Sequence, residues 1–335
     1  MSSPRITLIT PSYQQAAFLE ECITSIHDQG YPALEHIVVD GGSTDGSVDI
    51  IARHAHRLAW WCSEKDEGQS DAINKGLAHA TGDIFGWLNS DDALLPGALQ
   101  RVADTFAADP HLVVFGGRLF HRDAQGDRLF DRLNDPRDTA RLFADPIINQ
   151  QSTFYRMEAV RIAGGVDSAL RYVMDVELWW RTLFRFGTDH LRFEPVELAV
   201  FRFHGDSKTV SEHSGFVDEL ADLLHGLCRS VGLNALADIL AIGHPKRRAL
   251  RGIPVATEDR DRIRDMVVHF ILKWHGHLHT EAGFRMLHGL HASGMLKAAH
   301  LLPEMQERAA TSGERVASGS WKLYRAKRKW QHLFG

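Results

Sequence analysis

Two adjacent carboxylates, Asp91 and Asp92, follow an apolar segment that ends at Asn89, and Pro96 and Gly97 come shortly after them. In a continuous strand, neighbouring side chains point to opposite faces, whereas a bend would let both carboxylates face the same space. At a separation of ~5 Å and an effective dielectric of about 20, two ionised carboxylates repel by roughly 3 kcal/mol. Open solvent, a raised pKa or a bound cation must offset this repulsion. The pair therefore predicts either a solvated turn or a metal site.

Polar side chains also follow other apolar runs in the first hundred residues. We predict strands over residues 6–10, 36–40, 59–64 and 83–89, each followed by a helical stretch. Strands that alternate with helices of this kind indicate a parallel sheet, whose ligands bind outside the carboxyl ends of the strands. Four polar strand ends would therefore meet in one crevice, formed by residues 11–13, 40–43, 64–69 and 89–92.

The predicted crevice lacks two common phosphate-binding loops. The sequence contains neither G-x-G-x-x-G nor G-x-x-x-x-G-K-[ST], so we expect neither an NAD site nor a P-loop. Without such a loop, a nucleoside diphosphate needs a divalent metal to offset its charge, and adjacent carboxylates suit Mg²⁺ or Mn²⁺. A nucleotidyltransferase is one alternative with similar architecture, but it would usually carry a basic, glycine-rich loop where this chain has Pro-Ser-Tyr-Gln-Gln after the first strand.

Composition narrows the class of protein further. The chain has 335 residues, of which 44% are hydrophobic and 24% charged, as in ordinary soluble globular proteins. A net charge of -5 excludes a protein-wide basic field for nucleic acid. The three cysteines are widely spaced and form no CxxC, which is typical of a reducing compartment. With no signal-like N-terminus and no long apolar run, we expect a cytoplasmic protein, at most peripheral on the inner face of the cell membrane.

An ordered set of segments resembles glycosyltransferase family 2. The set comprises ITPSYQQAAFLEECITSIHDQGYPALEHIVVDGGSTDGS, SEKDEGQSDAINKGLAHATGDIFGWLNSDD, YVMDVELWWR and FRFHGDS, and it extends over roughly residues 5–210. The resemblance implies an α/β protein of the GT-A fold, with a Rossmann-like, mostly parallel sheet flanked by helices. Residues 1–106 would form the nucleotide-binding half, 107–210 the acceptor and catalytic half, and 211–335 a helical C-terminal region. The implied activity is metal-dependent, inverting transfer from a nucleotide-diphosphate sugar.

The resemblance also implies a set of donor-binding residues. Pro11 and Tyr13 would line the base and ribose, and Asp40 would bind the base, usually uracil, which favours a UDP-sugar. Asp71 would face the base or ribose, and Lys75 would reach a phosphate. The alternatives are that Asp40 only caps the following turn, that Asp71 is an exposed residue near a helix cap, and that Lys75 is simply solvated.

The acidic motif of the family is often D-x-D, and here its first carboxylate is replaced by Ser90. This variant implies that Asp92 binds the metal, Mn²⁺ or Mg²⁺, and that Asp91 binds the ribose. His204, in FRFHGDSKT, would supply a third protein contact to the metal. A structural role is the alternative for His204, as it is for most single histidines.

Asp175 matches the acidic residue of the second family motif and would be the catalytic base that takes the proton of the acceptor hydroxyl. The alternative is an aspartate that only complements the dipole at a helix N-terminus. Trp179 would form a platform for a sugar. Gln150 and Gln151 would lie near the donor sugar.

The acceptor is expected to be a saccharide or lipid-linked saccharide of surface polysaccharide biosynthesis. The tail GSWKLYRAKRKWQHLFG combines aromatic residues with five Lys or Arg and no acidic residue, so it would rest on an anionic membrane or dock as an ordinary helix. His275, His277 and His279 would point in different directions on a helix, so we expect no zinc site there. A catalytically idle scaffold that binds nucleotide sugars is the remaining alternative.

Overall fold

The computed structural model describes residues 3–205, 213–317, 319–325 and 328. The chain separates into two compact units: unit 1 is Met1–Arg137 with Ile147–Phe216, and unit 2 is Asp138–Pro146 with Val217–Gly335. The boundaries that the sequence suggested, after residues 106 and 210, stay predictions. The sequence pattern did not indicate that the short segment Asp138–Pro146 belongs with the C-terminal helices.

The described residues of unit 1 form a nine-stranded sheet. Its strands are β1 (Ile6–Ser12), β2 (Leu34–Asp40), β3 (Trp60–Ser63), β4 (Ile84–Trp87), β5 (Ala93–Leu94), β6 (Val114–Asp123), β7 (Gly126–Phe130), β8 (Thr153–Arg156) and β9 (Leu191–Arg202). The order is β3-β2-β1-β4-β8-β6-β9-β5, and β7 pairs with β6. The first four strands are parallel, whereas β8 runs antiparallel to both β4 and β6. The predicted parallel arrangement of the first four strands is confirmed.

Six helices of unit 1 accompany this sheet in the described part of the chain. They are α1 (Ala16–His27), α2 (Ser47–His54), α3 (Gln69–His79), α4 (Ala98–Ala108), α6 (Met157–Ala163) and α7 (Met174–Phe186), while α5 (Thr139–Ala144) belongs to unit 2. Helix α1 shows why they form: its apolar residues recur at helical spacing, and Leu19, Cys22, Ile23 and Ile26 are all buried. Its partners in the core are apolar residues of the sheet and of α2 and α4.

Unit 2 is helical in its described residues, as the periodicity predicted. Besides α5 it contains α8 (His213–Ser230), whose first residues lie in unit 1, α9 (Asn234–Ala241), α10 (Arg260–His275), α11 (Glu281–Ala292), α12 (Met295–Ala298) and α13 (Pro303–Val316). His275 is the last residue of α10, and His277 and His279 lie beyond it with their rings stacked. No helix in the described part of the chain is long and apolar enough to cross a membrane.

The first residues of the basic tail pack within unit 2. The ring centroids of Trp321 and Tyr324 lie 5.6 Å and 5.5 Å from that of Phe284 on α11. This contact matches the docked-helix alternative for residues 321–325. The other aromatic residues of the predicted membrane-binding tail, Trp330 and Phe334, lie outside the described residues, and the membrane contact stays a prediction.

A buried ion pair holds α7 in place within unit 1. Glu177 is fully buried and Arg181, one turn later, is 4% exposed, and their side chains are in contact. The Arg181 guanidinium also donates to the carbonyl oxygens of Ala163 and Gly165, which lie at the end of α6. The pair therefore fixes the position of α7 relative to the preceding helix.

We expect Arg181→Leu to lower the free energy of unfolding by about 3–5 kcal/mol, because the substitution leaves the Glu177 carboxylate buried without its cation. Urea denaturation followed by circular dichroism measures this loss. The double variant Glu177→Leu/Arg181→Leu should recover part of it, since no charge is left unpaired. Arg137, whose pair with Asp135 is exposed, provides the matched control, and Arg137→Leu should leave the unfolding midpoint unchanged. Equal destabilisation by both single variants would contradict this account.

Candidate active site

The turn after β4 places the two adjacent aspartates in different surroundings. The Asp92 backbone N–H donates to the Asn89 carbonyl oxygen at 3.0 Å, which closes the turn. The Asp91 carboxylate points to the end of β9, where its Oδ2 lies 2.9 Å from His204 Nε2. Both side chains in this contact are partly exposed, 17% for Asp91 and 15% for His204. The structure therefore brings together two residues that the sequence separates by more than a hundred positions.

Asp92 is the buried member of the pair, with 1% of its surface exposed. Its Oδ2 accepts a hydrogen bond from Gln151 Nε2 at 2.9 Å, and its Oδ1 accepts one from the Arg202 backbone N–H at 3.0 Å. Burial, followed by the nearby charge of Asp91, raises the pKa of Asp92 well above its usual range. The raised pKa of Asp92 thus offsets the repulsion between the two carboxylates.

Arg202 supports this turn, and the sequence analysis missed it. Its Nε donates to the Asp91 carbonyl oxygen at 3.0 Å and its guanidinium pairs with Glu21 on α1 at 2.7 Å. The same guanidinium lies 5.0 Å from the ring centroid of Phe18, and that ring lies 4.7 Å from the His204 ring. Aromatic and basic residues alternate in the segment FRFH. Because Arg202 and His204 are two residues apart, their side chains lie on the same side of an extended chain, and this spacing could have indicated Arg202.

Asp40, at the end of β2, shapes the loop that follows it. Its Oδ2 accepts hydrogen bonds from the backbone N–H groups of Gly42 and Ser43 and from Ser63 Oγ, and its Oδ1 accepts one from Ser43 Oγ. Gly42 has a φ of +82°, a conformation that disfavours other residues. With 0% of its surface exposed, Asp40 has the turn-capping role that the sequence left open. A direct contact between Asp40 and a nucleotide base stays a prediction.

The end of β1 carries the other predicted base and ribose contacts. Pro11 is buried, whereas Tyr13 is 61% exposed. Between them, Ser12 lies beside Asp40 in the register of β1 and β2 and is 4% exposed. Among the described residues, the Ser12 hydroxyl has no hydrogen-bond partner. An unpaired buried hydroxyl at a strand end suits contact with a ligand, and the sequence analysis passed over it.

Asp71 and Lys75 lie one turn apart on α3 and form an ion pair with an Nζ to Oδ2 distance of 3.5 Å. Lys75 Nζ also lies 3.0 Å from Glu64 Oε1. The Asp71 carboxylate accepts a hydrogen bond from the Glu67 backbone N–H at 3.2 Å. These contacts lie where β3 leads into α3. The phosphate contact of Lys75 and the base contact of Asp71 stay predictions.

Gln150 and Gln151 are nearly buried and bind protein groups. Gln150 Nε2 donates to the Trp87 carbonyl oxygen at 2.6 Å, and Gln151 holds Asp92 as described above. Trp179 is 1% exposed and packs near Phe193, with ring centroids 6.0 Å apart. The prediction that Trp179 forms a sugar platform was wrong, because helical spacing alone could not show that this face of α7 is directed into the core.

Asp175 lies in the first turn of α7 and is only partly covered. Its Oδ1 accepts a hydrogen bond from the Val176 backbone N–H at 2.8 Å. Desolvation by the surrounding protein raises the pKa of Asp175 to about 6, and the charge of Asp175 contributes to a raised pKa of the buried Tyr155 on β8. A carboxylate with a pKa near 6 is largely ionised at neutral pH and still basic enough to accept a proton.

The donor atoms at the turn after β4 indicate whether this turn could bind a metal ion. Within the part of the chain that the structure describes, no group of three or more His, Cys, Asp or Glu side chains is arranged to hold a metal ion. The Asp91 carboxylate and the His204 imidazole nevertheless present one oxygen and one nitrogen at 2.9 Å from each other. These two donor types suit Mn²⁺, and a bound substrate could supply further oxygen ligands.

The fold and the position of the acidic turn define a class of protein. A parallel four-stranded half, continued by a mixed half and carrying the acidic turn directly after β4, is the architecture of GT-A glycosyltransferases. Residues 7–173 match the family model described as Glycosyl transferase family 2. The chain belongs to this family, and it is a glycosyltransferase.

Relatives in sequence agree with this assignment. An uncharacterized glycosyltransferase of Mycobacterium tuberculosis is 29% identical over 220 residues, which are 63% of this chain and 79% of that protein. The O-antigen biosynthesis protein RfbC of Myxococcus xanthus is 35% identical over 130 residues, which are 37% of this chain but only 10% of RfbC. The first match extends over most of the relative, whereas the second is local.

Two solved structures share the fold. S. aureus TarS 1-349 in complex with UDP-GlcNAc has a TM-score of 0.63 at 14% identity, and the match covers 93% of this chain and 90% of that chain. The mannosyltransferase PcManGT from Pyrobaculum calidifontis, in complex with GDP-Man and Mn²⁺, has a TM-score of 0.54 at 20% identity and covers 99% of this chain and 85% of that chain. Both likenesses establish the GT-A fold of this chain.

Proposed function

We propose that this glycosyltransferase moves a sugar from a nucleotide-diphosphate sugar, with a UDP-sugar favoured, to a hydroxyl of a saccharide or lipid-linked saccharide, with inversion at the anomeric carbon. The contact between Asp91 and His204 at the end of β4 carries the proposal, because it presents metal-binding donor atoms where a parallel sheet binds its ligands. The donor complexes of TarS and PcManGT support a nucleotide-sugar donor. The similarity to RfbC supports an acceptor in surface polysaccharide biosynthesis.

Asp91 and His204 would hold the divalent metal, Mn²⁺ or Mg²⁺. When bound, the metal offsets the charge of the diphosphate and stabilises it as a leaving group. The proposal exchanges the roles that the sequence suggested for the two aspartates, because Asp91 is the more exposed and Asp92 is already bound by Gln151 and by the Arg202 backbone. Asp92 would then position the turn. Mn²⁺ bound to PcManGT supports a metal in this fold.

Asp175 would act as the catalytic base. In the transfer, the acceptor oxygen forms a bond to the anomeric carbon while the bond between that carbon and the diphosphate oxygen breaks, and the nucleoside diphosphate leaves with the electron pair. The Asp175 carboxylate takes the proton of the acceptor hydroxyl. Its raised pKa and its place at the start of α7 support this role.

The nucleotide would bind over the ends of β1 and β2. The unpaired Ser12 hydroxyl and the exposed Tyr13 ring support this location, the first as a hydrogen-bonding group and the second as a surface on which a base can stack. Asp40 would keep the loop after β2 in shape for the base, and Asp71 would lie at the ribose side. The family match decides against the nucleotidyltransferase alternative.

A thermal-shift screen of UDP-, GDP-, dTDP- and CMP-sugars, with and without Mn²⁺, tests the donor site. We expect a UDP-sugar with Mn²⁺ to raise the melting temperature by several degrees, because a ligand at about a hundred times its Kd stabilises the folded state by about 2.7 kcal/mol. The UDP-sugar without metal should have a smaller effect. No stabilisation by any of the four would contradict the donor site, and binding without hydrolysis or transfer would indicate the idle scaffold instead.

A further inference from the structure

Unit 2 contains a cavity of about 230 Å³ between α5 and α10. It is lined by Phe143 of α5, by Met266 and His269 of α10, and by Leu302, just before α13. Its volume is a little below the ~300 Å³ at which pockets for drug-sized ligands begin. The cavity therefore suits one small ring.

His269 is a buried polar group of this cavity without a hydrogen-bond partner among the described residues. Its side chain is 2% exposed, and among the described residues neither imidazole nitrogen has a hydrogen-bond partner. Nε2 lies 3.7 Å from Asp145 Oδ2, which is beyond hydrogen-bond distance. A buried polar group without a hydrogen-bond partner destabilises the folded state, so a ligand that bonds the imidazole would relieve this cost.

The remaining wall selects against a charged ligand. Arg262 is paired with Asp259, and its guanidinium lies 4.4 Å from the ring centroid of Phe143. Asp265 is paired with Arg264 and lies 3.5 Å from His300. Each of these two charges is balanced by an opposite charge of the protein, so neither is left to balance a charged ligand.

We propose that this cavity binds one neutral sugar ring. A sugar hydroxyl can both donate and accept a hydrogen bond, so it can pair with either nitrogen of the imidazole. The apolar side chains of Phe143, Met266 and Leu302 would contact the C–H face of the ring. That the ring belongs to the glycan on which the enzyme acts rests on the proposed function, whereas the binding itself depends only on the cavity.

Saturation-transfer NMR tests the proposal with the 335-residue chain and four neutral probes, the methyl glycosides of glucose, galactose, mannose and N-acetylglucosamine. No nucleotide or metal is added, so failure of the donor site leaves this test unaffected. At least one probe should bind, and His269→Phe, which keeps a ring of similar size but removes both nitrogens, should weaken its binding at least tenfold. His56→Phe, the same substitution at an exposed histidine of unit 1, should bind the probe as the native protein does.

Leu302→Trp provides a second variant, which adds a larger side chain to the cavity lining and should weaken binding to a similar degree. Absence of binding by all four glycosides would overturn the proposal. Binding that both variants retain would do the same, because the sugar would then occupy another site. Displacement of the glycoside by inorganic phosphate at a similar concentration would show that the cavity prefers anions and would also overturn it.

Discussion

Asp175→Asn is expected to lower kcat for sugar transfer by about 10²–10⁴-fold, the usual contribution of a positioned general base. Asparagine has the same shape and can still accept the hydrogen bond from the Val176 backbone N–H, so α7 should keep its first turn. It cannot take the proton of the acceptor hydroxyl. Metal-dependent hydrolysis of the UDP-sugar, in which water replaces the acceptor, measures the loss before the acceptor is identified.

The pH dependence of the same reaction gives a second measure of the base. Because the pKa of Asp175 is raised to about 6, kcat should be constant above that pH and should fall about tenfold per pH unit below it, as the carboxylate becomes protonated. A base with an ordinary aspartate pKa would keep its activity down to about pH 4. The profile therefore distinguishes Asp175 from the exposed aspartates of the chain.

Asp49, an exposed aspartate in the first turn of α2, provides the matched control. Asp49→Asn should leave both kcat and the pH profile unchanged, since it removes a carboxylate from a helix start without touching the site. Full activity of Asp175→Asn would show that Asp175 only complements the helix dipole. In that case the base must be sought elsewhere.

His204→Ala is expected to weaken Mn²⁺ binding by about 100-fold or more, because loss of even an outer partner of a metal ligand typically costs 10–100-fold. The donor site should then need far more Mn²⁺ to reach the same thermal shift with a UDP-sugar. A titration of free Mn²⁺ by electron paramagnetic resonance measures the affinity directly. His56→Ala, at an exposed histidine of unit 1, should bind Mn²⁺ as the native protein does.

The same Mn²⁺ titration distinguishes the contributions of Asp91 and Asp92 to metal binding. Asp91→Asn should weaken Mn²⁺ binding as strongly as His204→Ala, whereas Asp92→Asn should have a smaller effect, since its carboxylate is buried and bound by Gln151. A larger loss of Mn²⁺ affinity in Asp92→Asn than in Asp91→Asn would support the roles that the sequence suggested. Unchanged Mn²⁺ affinity in both variants would show that the metal does not bind at this turn.

The sequence predicted the parts of the fold that depend on local pattern. Strands β1 to β4 and α1 have compact apolar runs or helical spacing, and the polar residues that follow the strands indicated the edge of the sheet where the site lies. The helical character of the C-terminal region was equally local. These features needed no knowledge of which distant segments pack together.

The different surroundings of Asp91 and Asp92 could not be predicted from local sequence pattern. Asp92 is held by residues 59 and 110 positions later in the chain, Gln151 and Arg202, and only the pairing of distant strands brings them together. The predicted sugar platform at Trp179 was wrong for a similar reason. Helical spacing shows on which face of α7 Trp179 lies, but it does not show which residues cover that face. Burial depends on how the whole sheet is assembled. Two neighbouring aspartates can therefore differ in exposure, with Asp92 buried and Asp91 partly exposed.

The buried pair of Glu177 and Arg181 has a consequence for which parts of such an enzyme can diversify. Arg181 anchors α7 to the end of α6, and Ser70 Oγ on α3 donates to the Leu170 carbonyl oxygen in the middle of the connection between these two helices. Leu170 is itself 1% exposed. A change of length in this connection would therefore displace the turn that carries Asp175. Variation among related enzymes is expected in exposed loops instead, which tolerate insertions and deletions.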